Sequence, residues 1–532
     1  MTIPELDTTE QKNHWGDFCD QLWFSDQLGM WLDISKMNIN SKDYEKYKQS
    51  FSKSFIALEE LENGSIANKD ENRQVGHYWL RDPLIAPDEV VGKRISSEIC
   101  SISKFGKDIL DGTITNQNDQ KFRHVLWIGI GGSGLGPLLI VESLQELNQG
   151  INFHFIDNID TDGINRKLNN LGDAIKEALI VVVSKSGGTP EPNLAMDQVK
   201  KYLSEKGGNW PSQSVAITMQ DSNLDKLATE DNWLKTFDLP DWVGGRTSIT
   251  GAVGLLPIAL INRDVNKFLE GSKIMDSITR NRTLLENPAA LLALAWLVAG
   301  EGKGLRDMVI LPYKDSLQVF SKYLQQLIME SLGKREDREG NIVFQGISVY
   351  GNKGSTDQHA YVQQLRDGID NFFVNFIEVL TDNNNIKPIN GRNPGDYLSG
   401  FLQGTRSALS DSNRQNLTIT LTNYNEKSLG ALVALFERAV GIYAEIVNIN
   451  AYHQPGVEAG KKAASDVIFL QSKIENILSD GIARNIEGIA TLSNSVNYES
   501  IFMILRHLSK NNHRYSVSGD WNNPKSLIFK YS

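Results

Sequence analysis

Short apolar runs, each followed by turn residues and a helix-length segment, set the pattern of the middle of the chain. Residues 125–130, 151–156, 179–183 and 215–218 are such runs. Strands alternating with helices at this spacing predict βαβ units, and hence a parallel sheet wound on both sides. A second series at 307–313, 347–350, 370–380 and 417–421 repeats the pattern. Between the two series, Gly300-Glu-Gly-Lys-Gly304 interrupts it. The expected fold class is therefore α/β, with doubly wound parallel-sheet lobes at 121–300 and 301–465. Residues 1–120 show no strong period-2 alternation, are rich in Lys and Glu, and carry Trp15, Trp23, Trp31 and Trp79. They are expected to be a helical N-terminal segment packing on the lobes, and 466–532 a C-terminal helical extension. No fixed-period repeat or low-complexity tract is present.

The 532 residues contain 54 Lys plus Arg against 65 Asp plus Glu, a formal net charge of −11. An acidic chain of ordinary globular composition lacks the basic face that nucleic acid or an anionic membrane requires, so neither is expected as a partner. An anionic substrate then needs a locally basic pocket. Two cysteines, Cys19 and Cys100, cannot organise the fold through disulfides or thiolate metal sites, and suit a reducing compartment. The longest apolar stretch, 289–300, is well short of the ~20 residues that span a bilayer and reads as a buried helix. Residues 1–11 are acidic and lack the apolar core of a secretory signal. A cytoplasmic protein is expected.

The first strand runs into Ile128-Gly-Ile-Gly-Gly-Ser-Gly-Leu-Gly-Pro137. Gly129, Gly131 and Gly134 fit the GxGxxG spacing of dinucleotide binders, and Asp157 stands where a ribose-binding carboxylate would lie. A dehydrogenase reading is therefore open at this point. What the loop itself provides is backbone that approaches a ligand closely at a helix N-terminus, where amide donors and the dipole favour an anion. The third strand ends in Ser184-Lys-Ser-Gly-Gly-Thr-Pro-Glu191. Thr189, Pro190 and Glu191 form a good helix start. The same loop gathers the hydroxyls of Ser184, Ser186 and Thr189 around the Lys185 ammonium, a composition matched to a terminal phosphate.

Proton chemistry has a candidate in the helix predicted over 320–332. Phe320, Tyr323, Leu324 and Leu327 make its apolar face, with Gln326 and Glu330 at the margin as i,i+4 neighbours. At that margin Glu330 can be half-buried, as suits a general base, while periodicity alone favours a surface Glu beside a polar neighbour. Arg246 follows a Gly-Gly pair in Asp241-Trp-Val-Gly-Gly-Arg-Thr-Ser248. His359 lies in a polar loop after a strand, and Tyr452-His-Gln-Pro-Gly-Val-Glu-Ala-Gly-Lys461 supplies His453, Gln454 and Lys461. No HExxH motif, Cys/His ligand pair or dense carboxylate cluster is present, so metal catalysis has no support in the sequence.

Six ordered motifs, IGIGGSGLGP at 128–137, VVVSKSGGTPE at 181–191, DWVGGRTS at 241–248, YLQQLIMESLGK at 323–334, GSTDQHA at 354–360 and NAYHQPGVEAGK at 450–461, together resemble the glycolytic phosphoglucose isomerase family. The resemblance implies two sugar-phosphate-isomerase (SIS) lobes of three-layer α/β/α form. It also implies interconversion of glucose 6-phosphate and fructose 6-phosphate without metal or nucleotide. By motif, Ser184, Lys185, Ser186 and Thr189 would hold the phosphate, and Gly132 and Ser133 would contact the sugar. Glu330 would move the proton between C2 and C1 through a cis-enediol, with Arg246 stabilising the developing charge. Gln326 and Gln454 would orient the substrate, and His359 and Lys461 would assist ring opening. In the resembled family the histidine comes from the partner subunit, which implies a homodimer. Thr247, Gly187, Gly188, Leu327-Ile328, His453 and Pro455 depart from the family's usual residues, none of them at a position given a chemical role. Two alternatives remain: a sugar-phosphate-binding regulator of the same fold, which would predict loss of the groups retained here, and the dehydrogenase, against which Ser133 and the second loop count.

Overall fold

The computed structural model describes residues 15–146, 150–382 and 391–532. Residues 1–11, read above as lacking a signal, lie outside them. Near the N-terminus, strands β1 (Leu22–Ser25) and β2 (Met30–Lys36) form an antiparallel hairpin, with the Phe24 and Trp31 rings stacked 4.6 Å apart across it. This stretch had been expected to be helical. The strand signal was nonetheless present, because Met30, Leu32 and Ile34 alternate and are all fully buried. Helices Ser41–Glu62 and Glu89–Asp111 account for the helical part of the segment.

Strands β3 (His124–Ile128), β4 (Asn152–Ile156), β5 (Ala178–Val183), β6 (Ser214–Thr218) and β7 (Lys235–Asp238) form a wholly parallel sheet of order β4-β3-β5-β6-β7. The central β5, Ala-Leu-Ile-Val-Val-Val, is buried at every position, as a strand covered on both faces must be. Only β7, four residues long and partly polar, has no counterpart in the apolar runs. The second series gives β8 (Asp307–Pro312), the hairpin β9 (Lys334–Glu336) with β10 (Ile342–Gln345), β11 (Val349–Tyr350), β12 (Phe372–Val379) and β13 (Asn416–Leu421). Their sheet has the order β1-β2-β13-β12-β8-β11, parallel from β13 to β11. Strand β2 joins it antiparallel to β13, so the N-terminal hairpin completes the edge of the second sheet.

One continuous core takes Trp127, Val181 and Ile217 from the first sheet and Ile310, Phe373 and Ile419 from the second. The apolar helix Pro288–Ala299, as expected, lies within it, along with most of the helix Glu426–Ile446. Trp296 is fully buried there, its ring 6.1 Å from that of Phe436.

The chain divides into two compact units, Met1–His453 and Gln454–Ser532. The second comprises helices Pro455–Leu478, Ile486–Ser493 and Tyr498–Asn511. It also contains an antiparallel sheet of β14 (Arg484–Asn485), β15 (Tyr515–Ser518) and β16 (Ile528–Tyr531), in addition to the expected helices. Ile474, Leu505 and Phe529 are among its own core residues. No helix among the described residues is long and apolar enough to cross a membrane.

Candidate active site

Strand β3 delivers the glycine loop to the N-terminus of helix Gly132–Leu144. Gly131 has φ +59°, and a Cβ there would lie 3.1 Å from Gln326 Nε2. At Gly132 the approach is closer: a Cβ would lie 2.0 Å from the Gly245 carbonyl oxygen and 2.9 Å from the Arg246 amide nitrogen. The absence of side chains on the loop therefore brings it against two other predicted segments.

Strand β5 delivers the second loop. Ser184 is buried, and its Oγ accepts from the Gly187 amide at 3.2 Å, while Ser186 Oγ accepts from the Gly188 amide at the same distance. Gly187 has φ +66°, and a Cβ there would meet the Leu224 amide nitrogen at 2.3 Å, so glycine is required. Thr189 stands at the N-cap of helix Pro190–Glu205, as its sequence suggested, but its side chain makes no capping bond. The hydroxyl is thus not committed to the helix. Lys185 Nζ donates to the main-chain carbonyls of Asp241 at 2.6 Å and Val243 at 2.9 Å. Burial pulls its ammonium below the usual lysine range, with the Asp241 carboxylate opposing and Arg73 adding to the fall. The lysine ties the phosphate-type loop to the segment that leads into Gly244, Gly245 and Arg246.

Arg246 lies in the turn Gly245–Thr250 with its side chain 5% exposed. Its Nε is 3.6 Å from Glu330 Oε2, and its Nη2 donates to the His453 carbonyl at 3.2 Å. Its buried Nη1 has no protein partner among the described residues. Burial lowers its pKa, while Glu330 opposes that fall. On the neighbouring helix Gln326 Nε2 donates to Glu330 Oε2 at 3.2 Å. The Glu330 side chain is 19% exposed, so it is half-buried. The segment is not a uniform α-helix: Phe320–Leu324 is α-helical and Gln325–Glu330 is a π-turn. Such one-turn expansions recur at functional sites.

Behind the pair, Tyr323 Oη donates to Glu437 Oε1 at 3.1 Å and lies 3.5 Å from the Arg246 carbonyl oxygen. Glu437 in turn pairs with Arg81, which bonds Asp276 at 2.8 Å, and Asp276 accepts from Arg438 Nε at 2.9 Å. These charges are buried and mutually paired, as dry ionic groups must be.

The structure thus brings together Gly132, Arg246, Gln326 and Glu330 at contact distances, and joins Lys185 to the same assembly through the 241–243 backbone. His359 closes the short turn Thr356–His359 and is exposed. Gln454 and Lys461 belong to the second unit, where Lys461 Nζ pairs with Glu458 at 3.0 Å. Asp157, the ribose-type carboxylate of the dehydrogenase reading, faces Lys167 at 3.6 Å. Two participants were not singled out from sequence. Asp241 supplies a backbone tether for Lys185, and Lys334 Nζ donates to the Glu330 main-chain carbonyl at 2.7 Å. The i,i+4 spacing of Glu330 and Lys334 was the signal for the second.

Parallel α/β sheets, a hydroxyl- and lysine-bearing loop and a shielded carboxylate paired with a guanidinium are the parts that a sugar-phosphate isomerase would need. Comparison with known proteins narrows the class. Residues 33–410 and 405–480 match the family model described as phosphoglucose isomerase. A glucose-6-phosphate isomerase of Prochlorococcus marinus (strain MIT 9211) is 61% identical over 530 residues, covering 100% of this chain and 99% of that relative. One from Synechococcus sp. (strain CC9605) is 56% identical over 529 residues, with 99% of both chains covered. Among solved structures, a glucose-6-phosphate isomerase from Chlamydia trachomatis superposes with a TM-score of 0.78 at 24% identity. That likeness covers 86% of this chain and 91% of the other, and bears on the fold. The chain belongs to the phosphoglucose isomerase family.

Proposed function

We propose that this protein interconverts glucose 6-phosphate and fructose 6-phosphate with Glu330 as the base that carries the proton between C2 and C1. Family membership makes it an aldose–ketose isomerase, acting at the step shared by glycolysis and gluconeogenesis. The observation that supports the assignment of the base is the pairing of a half-buried Glu330 with a buried Arg246 whose Nη1 has no hydrogen-bond partner among the described residues.

A carboxylate held beside a guanidinium suits the reaction's electrostatics. As Glu330 takes the C2 proton, negative charge develops on the substrate oxygens, and Arg246 is placed to stabilise it in a water-poor site. Gln326 orients the carboxylate now and the sugar in the complex. Ser184, Lys185, Ser186 and Thr189 hold the phosphate, remote from C1 and C2, so that binding free energy fixes the reacting carbons. Gly132 and Ser133 contact the sugar through backbone and hydroxyl. By the motif resemblance alone, Gln454 is assigned to orienting the sugar, and His359 and Lys461 to opening its ring. An exposed His359 on a short turn fits supply to the site of a second subunit, so we place the protein as a cytoplasmic homodimer.

Glu330→Gln tests the assignment. Exchange of the substrate's C2 proton with deuterium oxide, followed by NMR, should fall with kcat by at least ~10², the usual contribution of a general base. Binding of sorbitol 6-phosphate, which has no carbonyl, should persist. Near-normal turnover would remove Glu330 from its role.

A further inference from the structure

We infer that Lys334 is a positioning residue for the isomerisation: its side-chain nitrogen clamps the turn that carries Glu330 by donating to that residue's own main-chain carbonyl. The inference rests on Glu330 being the base. The donor–acceptor distance is 2.7 Å, and Lys334 is 5% exposed. Carbonyls in the last turn of a helix have no partner within the helix and must find one elsewhere. Here the π-turn Gln325–Glu330 is followed within a few residues by β9, which Lys334 opens, opposite Gln345 of β10. The lysine is thus held by a strand pair on one side while it fixes the Glu330 backbone on the other. The carboxylate's contacts with Arg246 and Gln326 depend on that backbone staying in place.

The charged and titratable groups facing Lys334 are Arg246, Glu330 and Asp70, and His453 also feels it. Burial foremost, then Arg246, bring its pKa down to about 7, against Glu330 and Asp70. Both the ammonium and the neutral amine carry N–H donors. The clamp therefore survives titration, and donation rather than charge is what Lys334 supplies.

The test compares Lys334→Met, which removes the donor, with Lys334→Arg, which keeps one, in the full-length protein. Lys334→Met should lower kcat at least tenfold with KM within twofold, and Lys334→Arg should recover most of kcat. An unchanged kcat in Lys334→Met, a KM that rises in step, or an equal loss in Lys334→Arg would overturn the clamp. As a second measurement, the kcat profiles of wild type and Lys334→Arg between pH 6 and 8.5 should have the same shape. A limb near pH 7 in the wild type that Lys334→Arg lacks would mean that charge is the contribution, and would also overturn it. Glu330→Gln assayed alongside separates the two readings. Full turnover there defeats the base assignment, whereas an inactive Glu330→Gln beside an unaffected Lys334→Met defeats the clamp alone.

Discussion

Replacing Gly132 by alanine adds one methyl group at the point where the glycine loop meets the segment that carries Arg246. The added Cβ would stand 2.0 Å from the Gly245 carbonyl oxygen, whereas ordinary contact begins at 3.4 Å, so the backbones must separate by 3.4 − 2.0 = 1.4 Å. Neither obstructing atom can rotate away, because both the Gly245 oxygen and the Arg246 nitrogen at 2.9 Å are main-chain. The displaced segment carries Arg246, whose Nε lies 3.6 Å from Glu330. Misplacement of about 1 Å in an oriented site can lower the rate ~10²-fold. The accompanying overpacking strain is about 1–3 kcal/mol, enough to lower Tm by a few degrees. Gly136→Ala is the control, since its Cβ would meet only the Ile249 side chain and Cα, none closer than 3.4 Å. Steady-state isomerisation and thermal melting of both variants should show a ~10²-fold loss of kcat/KM in Gly132→Ala and little change in Gly136→Ala. Equal activity of the two would refute the view that bare backbone contact sets the position of Arg246.

Lys185→Ala should act mainly on binding. Losing a charge-assisted bond worth about 1.5–3 kcal/mol should raise KM about ten- to hundredfold and weaken inhibition by inorganic phosphate by a like factor. Unchanged KM would contradict the anchor assignment. Trp296→Ala, at the centre of the shared core, should destabilise the fold by about 3–5 kcal/mol in denaturant titration. Lys334 predicts a pH dependence of stability. Its folded pKa of about 7 lies below that of a free lysine, so between the two values the unfolded chain binds the extra proton and stability rises with pH, by at most about 1.4 kcal/mol per unit. The melting temperature of wild type relative to Lys334→Met should accordingly climb from pH 7 to 9. A flat difference would place the folded pKa outside that window.

The parallel strands β3 to β6, β8 and β11 to β13 were legible because strands buried on both faces read as unbroken apolar runs, β5 most plainly. The N-terminal hairpin was missed although Met30, Leu32 and Ile34 alternate, because the surrounding Lys- and Glu-rich sequence masked a seven-residue strand. Strand β7 and the sheet of β14, β15 and β16 are short, and tertiary pairing rather than intrinsic pattern makes them strands. In the site, periodicity put Glu330 at the margin of the apolar face and left its burial to the structure, and the π-turn was not legible, since a one-residue expansion leaves no mark in an apolar face.

What sequence could not supply is the mutual placement of the segments, and the physical reason lies in the atoms that join them. Gly132 meets Gly245 backbone to backbone, and Lys185 is held by the carbonyls of Asp241 and Val243. A main-chain carbonyl is present at every residue, so no residue type announces which one a lysine will find. Only Lys334 combined such a contact with a readable spacing, four residues beyond Glu330. The contacts that align Arg246 with Glu330 involve the carbonyl of His453 and the amide of Arg246, which survive a change of side chain. A single added methyl at Gly132 acts on that alignment directly, because it sets main chain against main chain.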